Sequence, residues 1–203
     1  MRSLLLFRIR LPKLSSGKLA QYLLLLTLCC SAQAGNETTI DQELRLRLKQ
    51  AIHASDSFPD RFEAEVWLLD MSNRLSPWVG DPKKRLEILR HVHYEATKAE
   101  LNPTLVLAVM EVESAFDRFA LSTAGARGLM QIMPFWIKEI GKEEDSLFQV
   151  QTNLRYGCTI LKYYLDKEKG DLTEALARYN GSKGRYVYPK KVFTAFNRHW
   201  TTY

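Results

Sequence analysis

Asn102-Pro103 opens an apolar run with Leu105, Val106, Ala108, Val109 and Val112, and the run ends in Glu113-Ser114-Ala115-Phe116. Shortly after comes Ser122-Thr123-Ala124-Gly125-Ala126-Arg127-Gly128-Leu129-Met130-Gln131-Ile132-Met133-Pro134. An Asn cap followed by Pro at the first helical position is a start signal, and the apolar spacing beyond it is helical. The stretch therefore reads as a helix with one carboxylate at its end, followed by a loop of small residues. Gly125 and Gly128 bracket Ala126-Arg127, which suits a tight turn of backbone beside a ligand. Ser122 and Gln131 offer neutral hydrogen-bonding groups of the kind sugars require, and Met133-Pro134 offers an apolar floor for a sugar face.

Glu113 has Val109 at i−4, Met110 at i−3 and Phe116 at i+3 as helical neighbours. Three apolar side chains around a carboxyl disfavour its charged form and raise its pKa. A carboxyl that stays protonated near neutrality is what a general acid needs to protonate a glycosidic oxygen. Glu111 is flanked by Leu107, Ala108, Ser114 and Ala115 and is expected to be exposed. On local context alone Glu113 could equally pair with an Arg, because a perturbed carboxylate marks a site only statistically. Singly, Ser122 also reads as a cap, Gln131 as a surface residue and Met133 as core; only the ordered string argues for a site. Asp117 lies one turn beyond Glu113, on the same side of one helix. It cannot easily flank a substrate as two-carboxyl glycosidases require, so it is expected to bond a loop or a helix end.

The rest of the chain also reads as helices. One starts at Pro59-Asp60, with Phe62, Val66, Trp67, Leu68, Met71 and Leu75 as its apolar positions, and stops at Ser76-Pro77. Asp81-Pro82 starts another, with Leu86, Leu89, Val92 and Ala96 facing inward. A short helix over Met133–Ile140 and a long one over Asn153–Lys169 follow, ended by Gly141 and Gly170. Asp171-Leu172-Thr173-Glu174 opens a helix that ends at Asn180-Gly181, with Ala175, Leu176 and Tyr179 inward, and a last helix lies near Tyr188-Pro189. Asp41–Ala54 reads as a charged helix with a modest apolar face. No run alternates at period two. The expectation is an all-α chain without internal repeats, in which only a small strand pair near Ser122–Arg127 would escape notice.

The N-terminus reads differently. Arg2, Arg8, Arg10, Lys13 and Lys18 precede an apolar run, Leu19 to Cys30, that ends in Ser31-Ala32-Gln33-Ala34. This is the pattern of a secretory signal cut after Ala34; a retained anchor and a lipoprotein signal at Cys29 or Cys30 are the rivals. The whole chain of 203 residues has a net charge of +6, from 29 basic and 23 acidic residues. Without the five basic residues of the leader, 24 remain against 23, so the high overall charge carries no case for nucleic acid. From Arg178 onward, however, Arg178, Lys183, Arg185, Lys190, Lys191 and Arg198 meet no acid. That basic tail is either a solvated surface or a weak attractor for acidic peptides. Cys158 is the one Cys outside the leader, so no internal disulfide is expected, and it reads as a small buried hydrophobe. His53, His91, His93 and His199 are too scattered to predict a metal cluster.

The ordered string closely resembles the lysozyme-like catalytic domain of bacterial lytic transglycosylases, the family shared with goose-type lysozymes and grouped as glycoside hydrolase family 23. That family carries Glu-Ser at a helix end, then a Ser, then Gly-Ala-x-Gly-Leu-Met-Gln-x-Met-Pro. Here these stand as Glu113-Ser114, Ser122 and Gly125 through Pro134, without a gap. Asn153, Gly157, Tyr164 and Leu165 match a second element, and Ala177-Arg178-Tyr179-Asn180-Gly181-Ser182 a third, in which the family's Ala-Gly has become Gly-Ser. The resemblance covers about residues 82–190. It implies a goose-type, lysozyme-like helical domain over residues 81–203, behind a signal peptide (1–34) and an N-terminal helical extension (35–80). It implies Glu113 as the catalytic acid and base, Ser122 at the substrate N-acetyl group, and Gln131, Met133, Tyr179 and Asn180 along the sugar subsites. The implied reaction is cleavage of the β-1,4 bond between N-acetylmuramic acid and N-acetylglucosamine in peptidoglycan, leaving a 1,6-anhydro end. A muramidase that hydrolyses the same bond and a non-catalytic wall-binding module are the alternatives. An exported monomer in a Gram-negative periplasm is expected, acting on peptidoglycan glycan strands with no cofactor, no metal and no nucleic acid, with cell-wall or secretion-machinery proteins as further partners.

Overall fold

The computed structural model describes residues 60–201. The leader and the charged segment Asp41–Ala54 lie outside them. Seven helices follow in order: α1 (Arg61–Leu75), α2 (Pro82–Lys98), α3 (Pro103–Ser114), α4 (Phe135–Ile140), α5 (Val150–Lys167), α6 (Leu172–Tyr179) and α7 (Val187–Ala195). α7 runs on into a π-helical turn, Phe196–Trp200. The described residues hold no strand. Two isolated bridges, Leu121 to Arg127 and Arg127 to Ile132, pin the loop after α3, where a strand pair was the remaining expectation.

The start signals act through their side chains. Asp60 Oδ1 accepts from the Phe62 and Glu63 amides at 2.7 and 2.9 Å. Asp81 accepts from Lys83 N at 2.8 Å, Asn102 from Thr104 N at 2.9 Å, and Asp171 from Thr173 N at 2.9 Å. Each satisfies a backbone donor that the first turn leaves unpaired, worth about 1 kcal/mol per cap. α4 has no side-chain cap and no buried residue, and it starts at Phe135 rather than Met133. α5 starts three residues earlier than Asn153, at Val150, and ends at Lys167 because Lys169 and Gly170 take positive φ.

α3 is the centre of the molecule. Thr104 through Met110 are buried on every face of it. A helix apolar all round must be enclosed, and α3 packs against α2, α7 and the terminal π-turn. Each of its Leu and Val side chains contributes about 1.5–3 kcal/mol by leaving water. The inner stripe of α2, Leu86, Leu89, Val92 and Ala96, is buried as its spacing required. The stripe of α1 is not the expected one. Ala64, Leu68, Met71 and Leu75 face the core, whereas Phe62 and Val66 are 76% and 52% exposed. The period of 3.6 selects one face, and Phe62 and Val66 sit on the other. α1 joins the same core as α3, and Arg74 ties it to the C-terminal turn by donating to the His199 and Thr201 carbonyls at 3.1 and 3.3 Å.

Candidate functional site

Glu113 sits on the last turn of α3. Val109, Met110 and Phe116, its predicted apolar neighbours, are all buried. Burial pushes its carboxyl up to about 7, against the opposing pull of a hydrogen bond from Tyr188. The Tyr188 hydroxyl donates to Glu113 Oε1 at 2.6 Å, and Tyr188 is itself buried. Glu113 therefore holds its proton to far higher pH than an exposed carboxyl, and the carboxylate form has a fixed donor waiting for it.

The chain turns sharply just past this carboxyl. Ala115 and Phe116 both take left-handed backbone, φ 48° and 65°. Two successive non-glycine residues there cost of order 1–3 kcal/mol each. The Phe116 ring offsets that strain by packing between Trp78 and Trp200, with ring centroids at 5.6 and 5.5 Å. Ser114 fastens the helix end to the loop, its hydroxyl donating to the Leu129 carbonyl at 2.8 Å.

The loop from Ser122 to Pro134 is held from inside. Ser122 Oγ accepts from Ala126 N at 3.0 Å, which leaves the hydroxyl hydrogen free. Asn153, buried on α5, accepts from Met130 N at 2.8 Å and donates to the Arg127 and Leu147 carbonyls at 2.9 and 2.8 Å. A β-carbon on Gly128 would collide with the Leu147 carbonyl and the Asn153 amide, and one on Gly157 would collide with Met130 Sδ. Asn153 and the two glycines are thus the reason the loop can lie this close to α5.

The other residues of the string fall in different places. Gln131, at φ 49°, donates its side-chain amide to the Ala120 and Gly128 carbonyls at 3.2 and 3.0 Å, so its nitrogen serves the loop. Met133 is half-buried beyond the loop, and Asn180 is exposed at the C-terminus of α6. Tyr179, which the resemblance puts along the sugar subsites, donates its hydroxyl to the Met130 carbonyl at 2.8 Å. The tyrosine on Glu113 is Tyr188, which the sequence reading passed over. Its only sequence signal was a Tyr-Pro pair inside the basic tail, and its partner lies 75 residues away. Asp117 accepts from Phe119 N at 2.9 Å and is exposed, the loop role expected of it.

Glu111 overturns another expectation. It is not a free surface carboxylate. His199 Nδ1 lies 3.0 Å from both of its oxygens, and Trp200 Nε1 donates to Oε2 at 2.8 Å. The cause is the π-turn, whose packing against α3 leaves no trace in the local pattern of residues. Cys158 is buried, and burial pushes its thiol far above its ordinary pKa, as suits a core residue. Among the described residues no group of three His, Cys, Asp or Glu side chains is arranged to hold a metal.

Known proteins match parts of this chain. A transglycosylase of Enterobacteria phage PRD1 is 33% identical over 104 residues, which is 48% of this chain and 38% of that protein. Membrane-bound lytic murein transglycosylase C of Photorhabdus laumondii is 28% identical over 118 residues, 50% of this chain and 33% of that one. Among solved structures, the 70 kDa soluble lytic transglycosylase SLT70 of Escherichia coli aligns with a TM-score of 0.42 and 21% identity, over 66% of this chain and 26% of its own. The chain spans little more than a third of the length of the curated relatives it matches. The Transglycosylase SLT domain family matches residues 91–197, more than half of the chain, from ahead of Glu113 to beyond Tyr188. The chain belongs to the transglycosylase SLT domain family.

Proposed function

We propose that this chain is a peptidoglycan lytic transglycosylase whose single working carboxyl is Glu113. The observation that carries this is the pair formed by Glu113, pushed up to about 7 by burial, and the Tyr188 hydroxyl 2.6 Å away. The carboxyls nearest to it in sequence are already engaged, Glu111 by His199 and Trp200 and Asp117 by a loop amide. A two-carboxyl mechanism would need a second group across the bond. The substrate's own N-acetyl group takes that role.

Glu113 gives its proton to the glycosidic oxygen, and that C–O bond breaks. The N-acetyl carbonyl oxygen closes on C1, giving an oxazolinium-like intermediate. Ser122 supports this step with its free hydroxyl hydrogen, directed at the N-acetyl carbonyl. Glu113, now a carboxylate held by Tyr188, removes the proton from the sugar's 6-hydroxyl. That oxygen attacks C1, the N-acetyl group is released, and a 1,6-anhydro end forms without water. Met133, Gln131 through its remaining carbonyl oxygen, Tyr179 through its ring, and Asn180 then line the sugar subsites. The same reading takes residues 1–34 as a cleaved leader, residues 35–80 as an N-terminal extension and residues 81–203 as the catalytic domain. It places the protein as a monomer on glycan strands in the periplasm.

Glu113→Gln tests the assignment. Gln keeps the shape and can still accept from Tyr188, but it cannot donate and then retrieve one proton. Release of soluble fragments from purified sacculi should fall by roughly 10² to 10⁴. Release at the wild-type rate would remove Glu113 from the mechanism.

A further inference from the structure

Between the end of α3 and α7 runs an open groove of about 580 Å³, lined by Val112, Val187, Lys190, Lys191 and Arg198 together with the Glu111–His199 pair. The side chains of Lys190, Lys191 and Arg198 are exposed, and among the described residues they have no hydrogen-bond or ion-pair partner. Glu111, the one acid lining the groove among the described residues, is already bonded to His199 and Trp200. From Arg178 to the end of the chain the sequence has no acidic residue that could neutralise the lysines locally. The groove thus presents three unpaired cations beside an apolar lip, where Val187 is 69% exposed and Tyr186 60%.

Its position gives it a use. Val112 lines the groove and the next residue is Glu113; Val187 lines it and the next residue is Tyr188. Successive helical side chains point in different directions, so the groove lies on the outward face of α7, next to the element that carries the Glu113–Tyr188 hydrogen bond but not lined by either residue. We propose that this groove receives the acidic stem peptide borne by the muramic acid residue of the substrate. The inference rests on the reading of the chain as a peptidoglycan enzyme. A stem of four or five residues spans roughly 13–18 Å when extended. It carries free carboxylates along its length and at its end, and small apolar side chains between them. The groove's volume is in the range of sites that hold ligands of that size, roughly 300–1,000 Å³. Cations in a solvent-exposed groove act mainly by steering and by setting register, and salt weakens them. An acidic segment of a partner protein would satisfy the same charges, but it would have no reason to sit beside the group that cleaves the glycan.

The test uses the full chain and a synthetic stem tetrapeptide, followed by NMR titration. The peptide has no glycosidic bond, so the result does not depend on cleavage. Binding should shift the amides of Lys190, Lys191 and Arg198 and should weaken as salt is raised. The variant K190Q/K191Q/R198Q should bind roughly tenfold more weakly, as should the wild-type chain with a tetrapeptide whose carboxylates are amidated. Should the variant fail to fold, the amidated and free peptides still decide on the wild-type chain. Equal affinity for the two peptides would overturn the proposal. Equal binding of an unrelated glutamate-rich peptide would also overturn it and assign the groove to an acidic protein segment. A chain that digests sacculi but ignores the tetrapeptide loses the groove assignment alone. One that binds the tetrapeptide in the groove and leaves sacculi intact loses the enzymatic assignment alone.

Discussion

In the proposed mechanism Glu113 links catalysis and stability through one proton. Its ordinary pKa is 4.5 and its folded value is about 7. At pH 4 it is protonated in both the folded and the unfolded chain, and its burial is harmless. As pH rises from 4.5 towards 7 the unfolded chain ionises first, so the folded state loses stability, and the loss levels off above 7 at about 3 kcal/mol. Glu113→Gln should therefore melt higher than wild type at pH 8 and alike at pH 4, while being inactive at both. Thermal melts at the two pH values check this, and equal melting at pH 8 would place the carboxyl in water. Activity needs the protonated form first, so kcat/KM should fall as pH rises through about 7. Tyr188 donates to the charged form and lowers the pKa of Glu113. Tyr188→Phe should move that limb to higher pH and reduce the maximal rate, and pH–rate profiles of the two proteins will show the shift or its absence. The raised pKa of Glu113 was legible in the sequence because its three apolar neighbours are local. Tyr188 was not, because a contact across 75 residues leaves no periodic trace.

Individual elements hold the site open by side-chain bonds that the motif only hints at. Asn153 of α5 satisfies Met130 N and the Leu147 carbonyl in the interior and the part-buried Arg127 carbonyl. Its removal strands Met130 N and the Leu147 carbonyl, at about 1–3 kcal/mol apiece, whereas the Arg127 carbonyl keeps Ile132 N. Asn153→Ala should lower stability by about 2–6 kcal/mol and disorder the loop that carries Ser122, which urea unfolding and proteolysis of the loop would register. A mild effect would mean that water replaces the amide. Glu111→Gln belongs to this scale too. It removes the carboxylate that bonds His199 and Trp200 of the π-turn, so it should destabilise the fold by about 1–3 kcal/mol without moving the pH profile of catalysis. The caps of α1, α2, α3 and α6 were all legible, since Asp or Asn at a helix start acts within three residues. The π-turn was not, because nothing in Phe196–Trp200 distinguishes it from one more turn of α7.

At the scale of the whole molecule one core serves both the N-terminal helix and the site. Leu68, Met71 and Leu75 of α1 are fully buried with Val106, Val109 and Met110 of α3. Leu68→Ala should cost about 2–5 kcal/mol and lower the melting of the entire described region in one transition; two separate transitions would divide it. The all-α class followed from the absence of period-two runs, but the inward face of α1 did not, because Phe62, Val66 and Trp67 blurred which side was apolar. What the assembled core presents at the end of α3 is a carboxyl pushed up to about 7 by burial, with a tyrosine hydroxyl on one of its oxygens. The most direct test of that arrangement is to digest peptidoglycan with the purified chain in heavy-oxygen water and weigh the released muropeptides. The account predicts 1,6-anhydromuramoyl ends carrying no oxygen from the solvent. Reducing ends labelled with heavy oxygen would contradict it and make the enzyme a hydrolase.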